Sequence, residues 1–320
     1  MRKLTALLLA LILTAAAAFA EAPDGETPAA AESAAGEHVK RVFVKGEIPD
    51  FAPEDVLFEI YVAKTVGSDG MVLLSDGQVM TVDATSLGQY DKLKAILDEC
   101  GISRIDIAFN THPDNDHIGG YVHVLEDHYG IGRFVTPFPD EKYPYQRPPV
   151  MQKRVIKAMR SAGVPIEGVK DGDVIDFGNA KLTVIQQTQI TTNANMVSAM
   201  LMVQVGSCRL LLTADAENPA QLWYVEHGYD LKADIMKYPH HAVAKVEDDF
   251  LAAVAPEAIF VTHGYHDVKR TRMALEKTGI PFGYTSHGAI HLITDGERWI
   301  IDHQVADEQK ILIERYNLAF

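Results

Sequence analysis

The feature that most constrains this chain is a short motif, His112-Pro113-Asp114-Asn115-Asp116-His117, which holds two imidazoles and two carboxylates. It comes soon after the apolar-rich stretch 107–109. A strand that ends in a loop rich in His and Asp is typical of an open divalent-metal site, because carboxylate and imidazole together suit Zn²⁺ or Mn²⁺ with water in the remaining positions. A polar loop that only faces solvent is the alternative, but ligand residues this dense favour the metal site.

The N-terminal residues have the pattern of an export signal. Arg2 and Lys3 precede an apolar run over residues 4–20, and Ala18-Phe19-Ala20 has the small-x-small form of a signal-peptidase site. The run is short for a membrane span, although a retained N-terminal anchor is the alternative. We predict that residues 1–20 are a signal peptide and that the protein is secreted or periplasmic. Residues 21–41, rich in Ala, Glu, Gly and Pro, are predicted to be a disordered linker before a single domain at residues 42–320.

The charge limits the partners that this protein can bind. The formal net charge is −15, and loss of residues 1–20 removes two basic residues and no acidic one, which gives a mature chain near −17. A surface this acidic does not hold a long polyanion by diffuse attraction. After signal cleavage we expect no membrane contact, and nothing in the sequence indicates an obligate protein partner. The two cysteines, Cys100 and Cys208, can pair in an oxidising compartment or remain buried free thiols.

Strand-like and helix-like segments alternate along the domain. Period-2 and short apolar runs predict strands at 56–62, 71–74, 79–82, 105–109, 181–185, 198–205, 210–213, 235–238, 258–262, 290–293 and 299–301. Helical spacing predicts helices around 93–97, 120–129, 151–159, 219–226, 248–254 and 269–277. The order is a strand-rich part followed by helices, twice over. This order predicts an α/β fold with two facing sheets and helices outside, rather than one doubly wound parallel sheet.

Further acids and imidazoles follow predicted strands, where α/β folds place their chemistry. They are Asp83, Asp215, the pair His240 and His241, and the pair His263 and His266. Adjacent histidines point in different directions, so we expect one of His240 and His241 to bind a given metal. Asp83 is expected to be either a turn residue or an acid behind the ligands, rather than a ligand itself.

With these residues in view, the chain resembles the metallo-β-lactamase superfamily, whose motif is His-x-His-x-Asp-His. Here Asp114 stands at the second His. This form is similar to the extracytoplasmic hydrolase domain of the competence protein ComEC and its free-standing secreted relatives. The resemblance runs from about residue 54 to 302 and includes Asp83, Asn193 to Ser198, Asp215, Lys237 to His241, and His266 before Gly279-Ile280. It implies an αββα four-layer sandwich of two facing mixed β-sheets with helices outside.

The resemblance also implies a set of metal ligands and one or two Zn²⁺ or Mn²⁺ ions per chain. The expected ligands are His112, Asp114 and Asp215 for a first ion, and Asp116, His117, Asp215 and one of His240 and His241 for a second. The first site is expected to be weaker, because no His occurs between His128 and His227, where the superfamily usually finds a third ligand. A second departure is Ala242, where the subgroup usually has Gly.

Other residues receive roles in hydrolysis by a metal-bound hydroxide. Asp116 is expected to orient the hydroxide. His266, or whichever of His240 and His241 is not on metal, is expected to protonate the leaving group. Lys237 either stabilises negative charge or forms an ion pair. Three further residues are candidates for contacts with substrate or ligands: Asn195 and Ser198 as hydrogen-bond donors, and His263 at the pocket rim.

The sequence therefore predicts an exported metal-dependent hydrolase, and the resemblance implies phosphodiester bonds as its target. The acidic composition favours a small phosphoester over a nucleic-acid substrate. A lactonase or β-lactamase-like acyl hydrolase is the enzymatic alternative. A non-catalytic metal-binding surface module is the alternative from a different class.

Overall fold

Two β-sheets face each other in this computed structural model, which describes residues 39–139, 149–264 and 266–305. The strands of the first sheet are β1 (Val42–Val44), β2 (Phe58–Val62), β3 (Gly70–Ser75), β4 (Gln78–Ala84), β5 (Arg104–Phe109), β6 (Gly130–Thr136), β7 (Ile166–Gly168), β15 (Gly288–Thr294) and β16 (Trp299–Val305). Those of the second are β8 (Val174–Phe177), β9 (Ala180–Ile185), β10 (Met200–Val205), β11 (Cys208–Leu212), β12 (Ile235–Lys237), β13 (Ala258–Val261) and β14 (Phe282–Tyr284).

Seven α-helices lie among the described residues. They are α1 (Tyr90–Glu99), α2 (Asn115–Ile118), α3 (Tyr121–Glu126), α4 (Val150–Ser161), α5 (Asn218–Glu226), α6 (Asp248–Val254) and α7 (Lys269–Thr278). Their apolar faces pack on the outer sides of the sheets, with α1, α3 and α4 against the first sheet and α5, α6 and α7 against the second.

The alternation of side chains along the strands explains this layering. In β10, Leu201, Val203 and Val205 join the core between the sheets, whereas Met200 and Met202 face the helices. The described residues thus form an inner core between the sheets and two outer cores under the helices. The predicted αββα sandwich of two mixed sheets is confirmed.

Parallel strands bring the predicted site residues to one edge. Strand β4 runs parallel to β5 in the first sheet, and β11, β12 and β13 run parallel in the second. Their carboxyl ends lead into Asp83, the 110–117 segment, Asp215, the 238–242 turn and Thr262. This is the arrangement that places chemistry at strand ends in α/β folds.

Some predictions of local structure differ from the fold. The predicted helix at 120–129 is the shorter α3, and an additional short helix, α2, begins inside the metal motif at Asn115. The sequence pattern does not predict β1, β7, β8 and β14, which are short strands at the sheet edges without a long apolar run, nor the interior strand β6, whose residues 130–133 include two glycines and an arginine. Cys100 and Cys208 are both free thiols, the first half-buried and the second buried.

The predicted signal peptide, residues 1–20, and nearly all of the predicted linker, 21–41, lie outside the described residues. The first strand begins at Val42, where the sequence predicts the domain to start. Within the described part of the chain, the helices are all too short or too polar to cross a bilayer.

Candidate metal centre

Four ligand-type side chains from three chain segments meet at the strand ends. They are Asp116, His117, Asp215 and His241, and their ligand atoms all lie within 4.8 Å of one another. Oδ2 of Asp215 is 3.1 Å from Nε2 of His117 and 3.4 Å from Nε2 of His241. The two Nε2 atoms are 3.2 Å apart. Two unprotonated ring nitrogens this close repel each other unless a cation is shared between them, so the donor set suits a divalent ion.

The carboxylates draw positive charge onto both imidazoles. Burial disfavours charging of His241, but Asp215 and Asp69 outweigh it and raise the pKa of His241 to about 10. Burial likewise opposes the charging of His117, yet Asp215 and Asp83 raise the pKa of His117 well above its ordinary value. A divalent ion would take the place of these protons, since metal ligands bind in their deprotonated form.

Asp83 fixes two imidazoles from behind, in the place that the sequence predicts for it. It accepts a hydrogen bond from Nδ1 of His117 at 2.6 Å and another from the Thr111 hydroxyl at 2.7 Å. Because that hydroxyl donates to Asp83, it accepts from Nδ1 of His112 at 3.0 Å. In both rings Nε2 is therefore the nitrogen that faces the cluster and is available to a metal once deprotonated, which is how carboxylates behind a metal site orient its histidines.

His112 forms a looser second group with two acids. Its Nε2 is buried, has no hydrogen-bond partner in the described part of the chain, and lies 3.8 Å from Asp114 and 3.8 Å from Asp215. A buried acceptor without a partner is costly unless something binds it. These three residues fit a cation less tightly than the first group, in keeping with the weaker first site that the sequence predicts.

The cluster opens to solvent through its acids. The side chains of Asp114 and Asp116 are 38% and 36% exposed, and that of His240 is 25% exposed, whereas His112 and His117 are fully buried. A ligand from solution can therefore reach the metal-binding atoms beside these three side chains.

A left-handed turn separates the two adjacent histidines. His240, His241 and Ala242 have φ values of 45°, 48° and 61°. The turn sends His241 into the cluster, while Nε2 of His240 faces the amide of Asn195 at 3.3 Å and stays 3.8 Å from Asp215. A left-handed φ favours glycine, which explains the subgroup's Gly at position 242; Ala242 bears a cost of about 1–2 kcal/mol there.

Lys237 and an acid that no sequence pattern indicates, Asp69, lie under the cluster. The ammonium of Lys237 is fully buried and 2.8 Å from Oδ2 of Asp69. It contacts buried acceptors and not the exposed side, so of the two predicted roles for Lys237 the geometry supports the ion pair. Asp69 lies in a Gly-Ser-Asp-Gly segment, which has the composition of a turn, and no local signal marks it as part of the site.

Glu217 links the 193–198 segment to the cluster. No sequence pattern indicates this carboxylate as part of the site. The side-chain amide of Asn195 donates to Glu217 at 3.0 Å, and Glu217 lies 3.6 Å from Nδ1 of His240. Ser198 is buried and donates to the main-chain oxygen of Asn195 at 2.9 Å, so it supports the loop rather than facing the opening.

The two late histidines differ in position. His263 is 17% exposed at its side chain, and burial together with the nearby His241 lowers the pKa of His263. His266 is exposed on the turn before α7, and it lies near enough to His287 to contribute, after burial, to lowering the pKa of His287. The predicted roles of His263 at the rim and of His266 as proton donor stay predictions.

The geometry predicts which adjacent histidine binds metal. We expect His241→Gln to weaken Mn²⁺ or Zn²⁺ binding by about 100-fold or more, because it removes a buried ligand, and His240→Gln to weaken it by less than about tenfold. Isothermal titration of metal into both variants checks this difference. Equal losses in the two variants would contradict the placement of His241 in the cluster.

This chain is similar in sequence to part of a known bacterial protein. ComE operon protein 3 of Bacillus subtilis (strain 168) is 28% identical over 166 residues, which are 51% of this chain and 20% of that protein. The match therefore spans about a fifth of the relative's length.

Two solved structures are similar in fold. The metallo-beta-lactamase fold protein YhfI from Bacillus subtilis has a TM-score of 0.50 at 13% identity, over 73% of this chain and 99% of that one. CmlA, a diiron beta-hydroxylase from Streptomyces venezuelae, has a TM-score of 0.50 at 11% identity, over 74% of this chain and 54% of that one. At these identities the likeness shows the fold alone.

The family itself follows from the sequence model of the Metallo-beta-lactamase superfamily, which matches residues 71–263. That range covers more than half of the chain and carries most of the cluster described above, including the 112–117 motif, Asp215 and His241. The chain belongs to the metallo-β-lactamase superfamily.

Proposed function

We propose that this chain is an exported, metal-dependent phosphodiesterase that acts on small phosphoesters. The superfamily consists mostly of metal-dependent hydrolases. The observation that carries the proposal is the cluster of Asp116, His117, Asp215 and His241, with its ring nitrogens turned inward and with Asp116 and the neighbouring Asp114 partly exposed.

Different residues of the site would bind the metal, orient the water and face the leaving group. Asp116, His117, Asp215 and His241 would hold one Zn²⁺ or Mn²⁺, and His112 with Asp114 and Asp215 a second. A divalent ion supplies Lewis acidity there and lowers the pKa of a water that it binds from about 15.7 to near 7. Asp116, partly exposed, would orient that water and accept its proton. His240, held beside Glu217 and Asn195, would face the leaving group.

Two features favour a phosphoester over a carbonyl substrate. Asp114 in place of an imidazole adds a hard oxygen ligand, which favours hard cations such as Mn²⁺, and hard cations bind well to the oxygens of a phosphate ester. The resemblance to the ComEC-type hydrolase domain implies phosphodiester cleavage. The net charge of −15 favours a small substrate, such as a phosphocholine-like ester or a nucleotide, over a long nucleic acid.

A substrate panel tests the proposal on the chain that begins at Glu21. We expect Zn²⁺ or Mn²⁺ to support turnover of bis-p-nitrophenyl phosphate or p-nitrophenyl phosphorylcholine in preference to single-stranded DNA, a lactone or nitrocefin. Turnover confined to the lactone or nitrocefin would establish acyl hydrolysis instead. Bound metal without turnover of any ester would indicate a non-catalytic metal-binding module.

The mass of the exported form checks cleavage after Ala20.

The Asp116→Ala variant probes the role of the exposed acid. We expect kcat/KM for the preferred phosphodiester to fall by about 10²–10⁴-fold, because the group that orients the water and accepts its proton is lost. Metal analysis should still find part of the metal, since His117, Asp215 and His241 remain. Asp50→Ala, an exposed acid outside the cluster, is the matched control. An Asp116→Ala variant with undiminished turnover would remove this residue from the mechanism.

A further inference from the structure

A buried ion pair lies directly beneath the metal centre. Asp69 precedes β3 and is 1% exposed, and Lys237 ends β12 and is fully buried. Nζ of Lys237 is 2.8 Å from Oδ2 of Asp69, and it also donates to the main-chain oxygens of Ala214 at 2.8 Å and Tyr238 at 3.3 Å. These three acceptors account for the three N–H groups of the ammonium.

The turn that carries Asp69 is attached to the segments that supply the ligands. The main-chain N–H of Asp69 donates to the carbonyl of Asp116 at 3.1 Å, and the Ser68 hydroxyl donates to the same carbonyl at 2.6 Å. The carbonyl of Asp69 accepts from the N–H of Thr85 at 2.7 Å, two residues after Asp83. The turn therefore fixes the backbone of one ligand and of the strand end that orients two others.

The free side of the Asp69 carboxylate faces the metal-binding imidazoles. Oδ1 lies 3.3 Å from Nδ1 of His241, and Oδ2 lies 3.8 Å from Nδ1 of His117. Oδ1 is buried and has no hydrogen-bond partner among the described residues. Nδ1 of His241 is closer to the Thr262 hydroxyl, at 2.9 Å, so Thr262 supplies the hydrogen bond and Asp69 supplies the charge.

The positive charge of Lys237 has the opposite effect on metal binding to the negative charge of Asp69. Its Nζ lies 3.8 Å from Oδ1 of Asp215, the carboxylate whose other oxygen contacts His117 and His241. In a buried site a nearby ammonium weakens the binding of a metal ion to that carboxylate, because the repulsion between the ammonium and the metal ion is weakly screened.

We propose that Asp69 and Lys237 are a pair of positioning residues that sets the metal affinity of the centre by opposing charges. The negative charge of Asp69 beside the His241 ring favours the bound cation, and Lys237 limits that affinity while neutralising Asp69 in the apo protein. The inference rests on the metal site of the proposed function but not on its substrate.

Metal titration of three variants tests the pair. We expect Asp69→Asn to weaken Mn²⁺ or Zn²⁺ binding by about 10–100-fold, as is typical when a carboxylate behind a metal-binding histidine is lost. Lys237→Met should change the affinity in the opposite direction. The double variant, which leaves no uncompensated buried charge, should bind metal more tightly than Asp69→Asn alone. If Lys237→Met does not fold, the comparison of the double variant with Asp69→Asn still tests the proposal.

The signs of these changes separate the proposal from a structural role. A pair that only supports packing would weaken metal binding in every variant, and a double variant no tighter than Asp69→Asn would overturn the proposal. Glu59→Gln is the matched control, because Glu59 is a carboxylate 2.8 Å from an imidazole, that of His291, away from the cluster. Its metal affinity should equal that of the wild type.

The metal measurement also distinguishes this inference from the proposed function. A wild-type protein that binds metal without cleaving any phosphoester would refute the phosphodiesterase, and the affinities of the variants would still decide the role of the pair. Phosphodiester turnover with unchanged metal affinity in Asp69→Asn would refute the pair alone. A wild type that binds no divalent ion would refute both.

Discussion

Asp215→Asn is expected to weaken divalent-metal binding by about 10²–10⁴-fold, the equivalent of the 3–5 kcal/mol that the loss of one partner from a buried ionic cluster costs. One oxygen of Asp215 lies within 3.8 Å of a ring nitrogen of four histidines, His112, His117, His240 and His241. The substitution keeps the shape of the side chain and removes its charge. Phosphodiester turnover at fixed metal concentration should fall in parallel. Isothermal titration and initial rates measure the two effects.

Asp176→Asn is the control for this substitution, because Asp176 is an exposed acid on β8. It should leave metal affinity and turnover unchanged. If Asp215→Asn retains wild-type metal affinity while the protein is folded, the histidines do not share the cation that the geometry indicates, and the proposed function loses its basis.

The ligands found by sequence reasoning are those whose position follows from local pattern. Asp215 comes three residues after the apolar strand β11, and the 112–117 motif comes soon after β5, so strand ends alone predict that both reach one sheet edge. The layered fold follows in the same way, because Met200 to Val205 alternates between two apolar environments.

The choice between His240 and His241 could not be made from spacing. It depends on three successive left-handed residues, a backbone conformation that non-glycine residues seldom adopt. Sequence predicts that adjacent rings diverge, but not which one turns inward. The structure decides this through Thr262, which holds Nδ1 of His241 at 2.9 Å.

Asp69 and Glu217 show a different limit. Each acts through residues far away in the chain: Asp69 pairs with Lys237, and Glu217 with Asn195 and His240. A Gly-Ser-Asp-Gly segment has the composition of a solvent-exposed turn, and only the packing of both sheets around it buries the carboxylate. Unlike Asp83, which lies at a strand end, these two acids therefore require the three-dimensional structure to be found.

The close packing behind the metal motif makes a second strong prediction, on stability. Gly120, just after the motif, lies so near to β4 that an added Cβ would be 1.8 Å from the carbonyl oxygen of Ala84. That neighbour is backbone, so it cannot rotate away. We expect Gly120→Ala to lower the free energy of unfolding by about 3 kcal/mol, at the upper end for overpacking of a core. Urea unfolding of the chelator-treated protein measures the change without a contribution from bound metal.

Gly88→Ala is the control, because an added Cβ at Gly88 meets no atom within 4 Å. It should change the free energy of unfolding by no more than about 0.5 kcal/mol. In Gly120→Ala the clash is relieved only if Ala84 or the segment just after the metal motif moves, and Ala84 follows Asp83, which holds Nδ1 of His117 at 2.6 Å. The protein that remains folded should therefore also bind metal more weakly than Gly88→Ala. A Gly120→Ala protein with the stability and metal affinity of the control would show that β4 and the metal motif are not packed as described.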